Sequence, residues 1–382
     1  MSAPRSRLRG PVQRSAGVSG RISLPGITVH PGLADAWTLV VPLAAVYLFT
    51  VIGSALSASA QVDLGYALVN LVIVVGLSTF VGNSGVLSFG HLAFVAIGAW
   101  TMSLLTIPAT MKSNLLGGLF PVLQDAAAAP FVALLLGAVA GGVVALISAL
   151  VLMRLHGLEA GIATFALLQL VVQVLTYWDK VGPKSGQSMV GIPQSFDLSG
   201  MLYIALTVIV LAWLYQRSAS ARMLRASRDN MAAAPASGIN VFTHRVIAFT
   251  VSGAFAGVGG ALWAQTNRVV QASQFNLDFT FTTIAMLVIG GMLSLWGAVV
   301  GTLVISALNH ALGVLESGVV LGPLTVSLPS GSRLIVLGLA LVIVLLLRPG
   351  GITNGREAGW PFRRELRLHV PGQPALRQPD LH

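Results

Sequence analysis

Arg222, Arg225 and Arg228 stand three residues apart, with Asp229 and Asn230 directly after them, in a chain of which only 9% is charged. At that spacing Arg222 and Arg225 share one flank of a helix, and Met223 and Ala226 step along a neighbouring flank. A short helix with a basic and an apolar flank suits two tasks. It docks into a groove of a soluble partner, or it anchors on anionic lipid headgroups. The residues alone leave both open. Ser218 or Ser220 can cap its start, and Pro235 with Gly238 can end or kink it.

Other chemistry is thinly represented. The seven histidines, at 30, 91, 156, 244, 310, 369 and 382, show no paired spacing and no acidic cluster, so no metal site is expected. The stretch "GPKSGQS" (182–188) lacks the order of a phosphate-binding loop, and no cofactor is expected. With no cysteine in the chain, disulfides and thiolate catalysis are excluded. The carboxylates sit at the edges of apolar runs: Asp63 before one, Glu159 just inside another, Glu316 at the end of a third. A carrier driven by a proton gradient normally needs a buried acid or base. Here His91 and His310 alone lie deeper, where packing is the ordinary role.

Uncharged polar residues do interrupt the apolar runs. Gln169 and Gln173 are four apart and share a helix face. They either bond between helices or line a hydrophilic path. The stretch "GNSGVLSFGH" (82–91) carries Asn83, Ser84, Gly85, Ser88 and His91 between two apolar runs, with no fixed charge. It reads either as a tight interfacial turn or as a break at membrane depth beside a solute path. In the second case Gly82, Gly85 and Gly90 allow close backbone approach, and Ser84 and Ser88 satisfy freed carbonyls.

The elements that must hold these groups are apolar helices. Hydrophobic residues make up 55% of the 382, far from the surface chemistry of a water-soluble domain. Windows near 37–56, 64–81, 86–105, 130–153, 158–178, 200–216, 246–266, 281–296, 298–316 and 333–348 are long enough to cross a bilayer. The fold expected is an all-α polytopic membrane protein of about ten spans, eight being the other count that satisfies the charge pattern. With the amino terminus in the cytoplasm, alternation leaves only Lys112, Lys180, Lys184, Arg268 and Arg333 outside, of 22 basic residues. Both termini are therefore read as cytoplasmic. The net charge of +10 follows from these basic segments facing lipid headgroups, and no nucleic-acid partner is expected. The expected organisation is a basic tail (1–36), a transmembrane domain (37–348) with a cytoplasmic connection at 217–245, and a second tail (349–382). Glycines at 137 and 141, 253 and 257, and 297 and 301 have the spacing that lets membrane helices approach closely.

Four segments, in order, resemble the LivM-type permeases of branched-chain amino acid ABC transporters. They are "NLVIVVGLSTFVGNSGVLSFGHLAFVAIGAW" (70–100), "RMLRASRDNMAAAPASGINVFTHRVIAFTVSGAFAGVGGALWA" (222–264), "TTIAMLVIGGMLSLWGAVVG" (282–301) and "LLLRPGGI" (345–352). The resemblance implies the membrane half of an importer and no enzyme activity of its own. It implies a second related permease, two cytoplasmic ABC ATPases and an extracytoplasmic solute-binding protein as partners. By match to the motif, Arg222, Leu224, Arg225, Arg228, Asp229, Asn230, Ala233, Ala234 and Gly238 would form the ATPase contact. Met231, Pro235 and Ser237 depart from the family's usual Glu, Arg and Leu, and a proline there would shorten the coupling helix. Relatives on the same scaffold carry urea or short amides, which stands as the alternative cargo. A stand-alone secondary transporter or channel is the alternative of a different class.

Overall fold

The computed structural model describes residues 31–155, 157–183, 187–317, 319–321, 324–326, 329 and 331–359. The basic stretch 1–30, the centre of "GPKSGQS", His30, His156, His369, His382 and residues 360–382 lie outside them.

Each apolar window is a helix. In chain order these are α1 (Pro31–Ser54), α2 (Ala58–Ser84), α3 (His91–Thr106), the short α4 (Ala109–Leu115) and α5 (Pro121–Gln124), α6 (Pro130–Leu152) and α7 (Gly157–Tyr177). After strand β1 (Met189–Val190) come α8 (Leu198–Arg217), α9 (Ala219–Asp229), α10 (Ala233–Ala236) and α11 (Val241–Asn267). Strand β2 (Val269–Val270) leads to α12 (Leu277–Gly290) and α13 (Leu295–Ser317). Strands β3 (Val319–Leu321) and β4 (Leu324–Val326) then precede α14 (Ser332–Leu347). Seven helices are long and apolar enough to span a membrane, and α3, α12 and α14 are shorter apolar helices. The chain is an all-α polytopic membrane protein.

Capping residues fix several helix starts. Ser57, Asp197, Ser218, Asn240 and Asn276 each accept a first-turn amide, of α2, α8, α9, α11 and α12 respectively. Pro121 and Pro130 occupy first helical positions, where the missing amide costs nothing.

The centre of the bundle is α2 and α11, whose apolar windows are 89% and 72% buried against 17–33% for the other long spans. Around α11 the packing is backbone on backbone. A Cβ on Gly141 would lie 2.6 Å from the Gly253 carbonyl, and one on Gly257 would lie 2.3 Å from the Gly137 carbonyl. One on Gly98 of α3 would lie 2.1 Å from the Gly257 carbonyl. Without hydrophobic drive between helices in lipid, this close contact is what holds α3, α6 and α11 together.

The two ends differ. At one end α4, α5 and the β1–β2 pair form a cap, pinned by Trp100 Nε1 donating to the Val181 carbonyl at 3.0 Å. The buried ammonium of Lys112 donates to the carbonyls of Ala126 and Leu123 in that cap. At the other end, Asp35 of α1 meets Arg217 of α8 at 2.9 Å. Residues 348–357, after α14, reach the same end, so the first and last helices open on the face that carries the 217–240 connection.

Several expected boundaries shift, with chemical consequences. Helix α2 starts at Ala58 and not near 64, so Asp63 lies inside it. There Asp63 Oδ2 meets His310 Nδ1 of α13 at 2.6 Å, a pairing across 247 residues. Helix α11 starts at Val241, which draws Arg245 into the bundle, 2% exposed. Helix α3 starts at His91 and not near 86, leaving Gly85–Gly90 without helix. Residues 349–357 do not trail away as a tail: Ile352 and Thr353 donate their amides to the carbonyls of Ile289 and Gly290 at 2.8 and 3.0 Å.

Candidate functional site

The connection between α8 and α11 is two short helices. Ser218 Oγ accepts the Ala221 amide at 3.2 Å and starts α9. That helix stops at Asp229, because Asn230 leaves helical geometry and uses Oδ1 to accept the Ala233 amide that opens α10. Gly238, at φ 76°, then turns the chain into α11. The basic flank divides: Arg222 stays exposed, and Arg225 and Arg228 turn into the bundle. Arg225 Nη1 donates to Asn83 Oδ1 at 2.6 Å and Nη2 to the Gln216 carbonyl at 2.9 Å. Arg228 Nη1 donates to the Gly82 carbonyl at 2.6 Å. Both arginines therefore grip the last turn of α2, where carbonyls lack helical partners and the helix dipole favours cations. Burial, and then the Arg228 charge, lower the Arg225 pKa from its usual value.

Of the residues that the family resemblance assigns to ATPase contact, Arg222, Asp229, Asn230, Ala233 and Gly238 are exposed. Leu224 and Ala234 are not; they are buried against the bundle, at 0% and 4% exposure, and anchor the segment. Met223, Ala226, Met231 and Pro235 are exposed beside them. Met231 and Pro235, two of the positions that depart from the family pattern, are thus on the exposed face of this connection. Their exposure had no local signal beyond the helical spacing of Met223 and Ala226.

Residues 82–91 leave α2 and re-enter the bundle. Gly85 closes α2 in the left-handed conformation, donating its amide to the Val81 carbonyl at 2.9 Å. Ser84 Oγ accepts the Val86 amide at 3.2 Å. The chain then runs against α7: the Phe89 amide donates to Thr164 Oγ1 at 3.2 Å, and a Cβ on Gly90 would meet the Thr164 carbonyl at 2.0 Å. His91 begins α3 fully within the protein, its Nδ1 3.4 Å from Ser252 Oγ and its edge against Phe94. Ser252 is eleven residues into α11, about 16 Å along its axis. The segment is therefore a non-helical stretch between α2 and an α3 that starts inside the bundle. Ser88 Oγ and His91 Nε2 are buried without a hydrogen-bond partner. Ser88 does not satisfy a freed carbonyl.

Gln169 and Gln173 lie on α7, half-buried and exposed respectively. They share the outward stripe of Ile162, Ala166 and Leu170, and no hydrogen bond ties either to another helix among the described residues. Amides on an outward face at membrane depth are costly against lipid tails.

In this naturally cysteine-free chain, Ser88→Cys and His91→Cys are expected to react at least tenfold more slowly with a membrane-impermeant thiol reagent than Met223→Cys, at a 41% exposed position. Free labelling at every position from 82 to 91 would show a plain exposed turn.

These features define an integral membrane protein with ten apolar helices among the described residues, a helix break inside the bundle and an exposed two-helix connection at one end. The chain belongs to the family described as branched-chain amino acid transport system / permease component, whose pattern matches residues 62–345. It is a multi-pass protein of a prokaryotic cytoplasmic membrane. It is similar to the high-affinity branched-chain amino acid transport system permease protein LivM of Escherichia coli, 25% identical over 272 residues, covering 62% of this chain and 60% of that one. It is also similar to the galactose/methyl galactoside import permease protein MglC of Salmonella typhimurium, 29% identical over 127 residues, 31% of this chain and 37% of that one. A third relative is the autoinducer 2 import system permease protein LsrC of an Enterobacter species, 30% identical over 175 residues, 45% and 49% of the two chains. The chain thus spans about 60% of the LivM length that it matches. No solved structure matches it.

Proposed function

We propose that the chain is the permease subunit of an ABC importer that moves branched-chain amino acids, or a related small polar solute, into the cytoplasm. The observation that carries this reading is the exposed face of α9 and α10, held rigidly on the end of α2 by Arg225 and Arg228. A protein with such a face and no inbuilt energy source needs a partner to move it. Carboxylates fully buried within the spans are lacking among the described residues, since Asp63, Glu159 and Asp278 are exposed and Glu316, at the end of α13, is half-buried. That opposes a gradient-driven carrier.

The partners in this reading are two cytoplasmic ATPases, a second related permease and an extracytoplasmic binding protein that delivers the solute. The ATPase meets Arg222, Met223, Ala226 and Met231. Gln169 and Gln173 face the second permease or the aqueous path between the two, which accounts for amides on an outward stripe. Among the cargoes in the names of the relatives, a branched-chain amino acid is favoured because LivM matches 62% of this chain, against 31% for MglC and 45% for LsrC.

Uptake of radiolabelled leucine into proteoliposomes tests this. It is expected to require the partner subunits, the binding protein and ATP on the cytoplasmic side, and to be unchanged when proton and sodium gradients are collapsed. Gradient-driven uptake by this chain alone would overturn the importer reading.

A further inference from the structure

The segment after α14 closes a joint that neither the coupling connection nor the helix break explains. Its Ile352 and Thr353 amides donate to the last carbonyls of α12, and Thr353 Oγ1 adds a bond to the Gly290 carbonyl at 2.8 Å. Four residues later, the Glu357 carboxylate accepts the first amides of α13, from Leu295 at 2.8 Å and Trp296 at 3.1 Å. One short strap thus satisfies the orphan carbonyls of one helix and the orphan amides of the next. Backbone fit confirms how closely it seats: a Cβ on Gly291 would meet Thr353 Oγ1 at 2.5 Å, and one on Gly351 would meet the Gly291 amide nitrogen at 2.6 Å.

The other side of Glu357 faces the coupling region. A cavity of about 280 Å³ lies between them, walled by Glu357, Leu293, Arg225, Gln216, Asn83 and Trp213 among others. Arg225 already bridges α9 to Asn83 of α2 and to the Gln216 carbonyl of α8. Glu357 is the acidic group on this wall, and it sits on the positive end of the α13 dipole. Burial raises its pKa above the usual carboxylate range, opposed by the two amides, Gln216 and Arg225.

We propose that Glu357 is a positioning residue for transport: it couples displacement of α9, through Arg225 and Gln216, to the start of α13 and hence to the α12–α13 hairpin. Movement imposed on α9 then reaches two places at once. It reaches α2 through Asn83 and Gly82, and it reaches the hairpin across the Glu357 cavity. The inference rests on the importer reading for the source of the movement.

The complete complex in proteoliposomes, with leucine as solute, tests it. Glu357→Gln keeps the shape but can accept amides with only one oxygen and carries no charge. It is expected to reach the membrane and retain the ATPases, to continue hydrolysing ATP, and to lose about tenfold in leucine moved per ATP. Glu357→Asp is expected to fall between it and wild type. The thiol introduced by Leu293→Cys, in the α12–α13 turn, gives a readout independent of uptake. Its labelling rate is expected to change on trapping the ATPases with ATP and vanadate, and this change is expected to vanish with Glu357→Gln. An unchanged ratio of solute to ATP, or a labelling change that survives Glu357→Gln, would overturn the proposal. So would failure of both Glu357→Gln and Glu357→Asp to reach the membrane, which would make the residue merely structural. Wild-type uptake without ATP, with the labelling change still dependent on Glu357, would sink the importer reading and leave the joint standing.

Discussion

Arg225→Glu combined with Arg228→Glu is expected to abolish uptake, by at least a hundredfold, while the chain still inserts in the membrane. The two guanidinium groups make three short bonds, to Asn83 Oδ1 and to the carbonyls of Gln216 and Gly82. Hydrogen bonds to charged groups contribute about 1.5–3 kcal/mol each, so the double change removes the polar grip of α9 on α2. It also sets two carboxylates against the negative end of the α2 dipole and, at 225, near the half-buried Glu357. The spans themselves are untouched, which is why insertion survives. Arg225→Gln with Arg228→Gln should be milder, because an amide can still donate one bond. The measurement is proteoliposome uptake beside the amount of chain recovered from the membrane. Wild-type uptake in the Glu double variant would mean that the grip on α2 plays no part in transport.

Gly260→Val is expected to leave little folded protein, whereas Gly338→Val should be close to wild type. Both glycines lie within helices, so propensity alone treats them alike. Their surroundings do not. A Cβ on Gly260 would fall 1.9 Å from the Val95 carbonyl and 2.8 Å from the Ala99 amide nitrogen, all backbone of α3. On Gly338 the same atom meets nothing within 4 Å. Backbone cannot swing aside as a side chain does, so α3 and α11 must separate. The cost should exceed the roughly 1–3 kcal/mol typical of an overpacked core. Size-exclusion profiles and thermal unfolding in detergent compare the two. Equal melting temperatures for both variants would refute the close packing of α3 on α11.

The sequence made the helices legible because apolar runs of membrane length carry their own signal. Their ends were harder. Gly85–Gly90 contains Val86, Leu87 and Phe89, so its hydropathy merges with that of α3 and hides the break before His91. Asp63 and Arg245 looked like flanking charges; only the partner helices, α13 for one and the 155 loop for the other, show why each is tolerated inside a helix. The arginine spacing in α9 revealed a flank but not its direction. Which flank faces a partner depends on Asn83 and Gly82, more than 140 residues away. The Glu357 cap is of the same kind. Its amides are 61 and 62 residues distant, and a lone glutamate in a Gly-rich stretch carries no local pattern.

The glycine contacts among α3, α6 and α11 also bear on how such a bundle can deform. Sliding between packed helices normally proceeds by small side-chain adjustments. Where Gly98, Gly137, Gly141, Gly253 and Gly257 bring main chains together, few side chains lie at the seam to absorb a shear. Such a seam favours movement of those three helices together. The compliance needed for any transport cycle is then expected outside that seam, the α12–α13 hairpin joined by the Glu357 strap included.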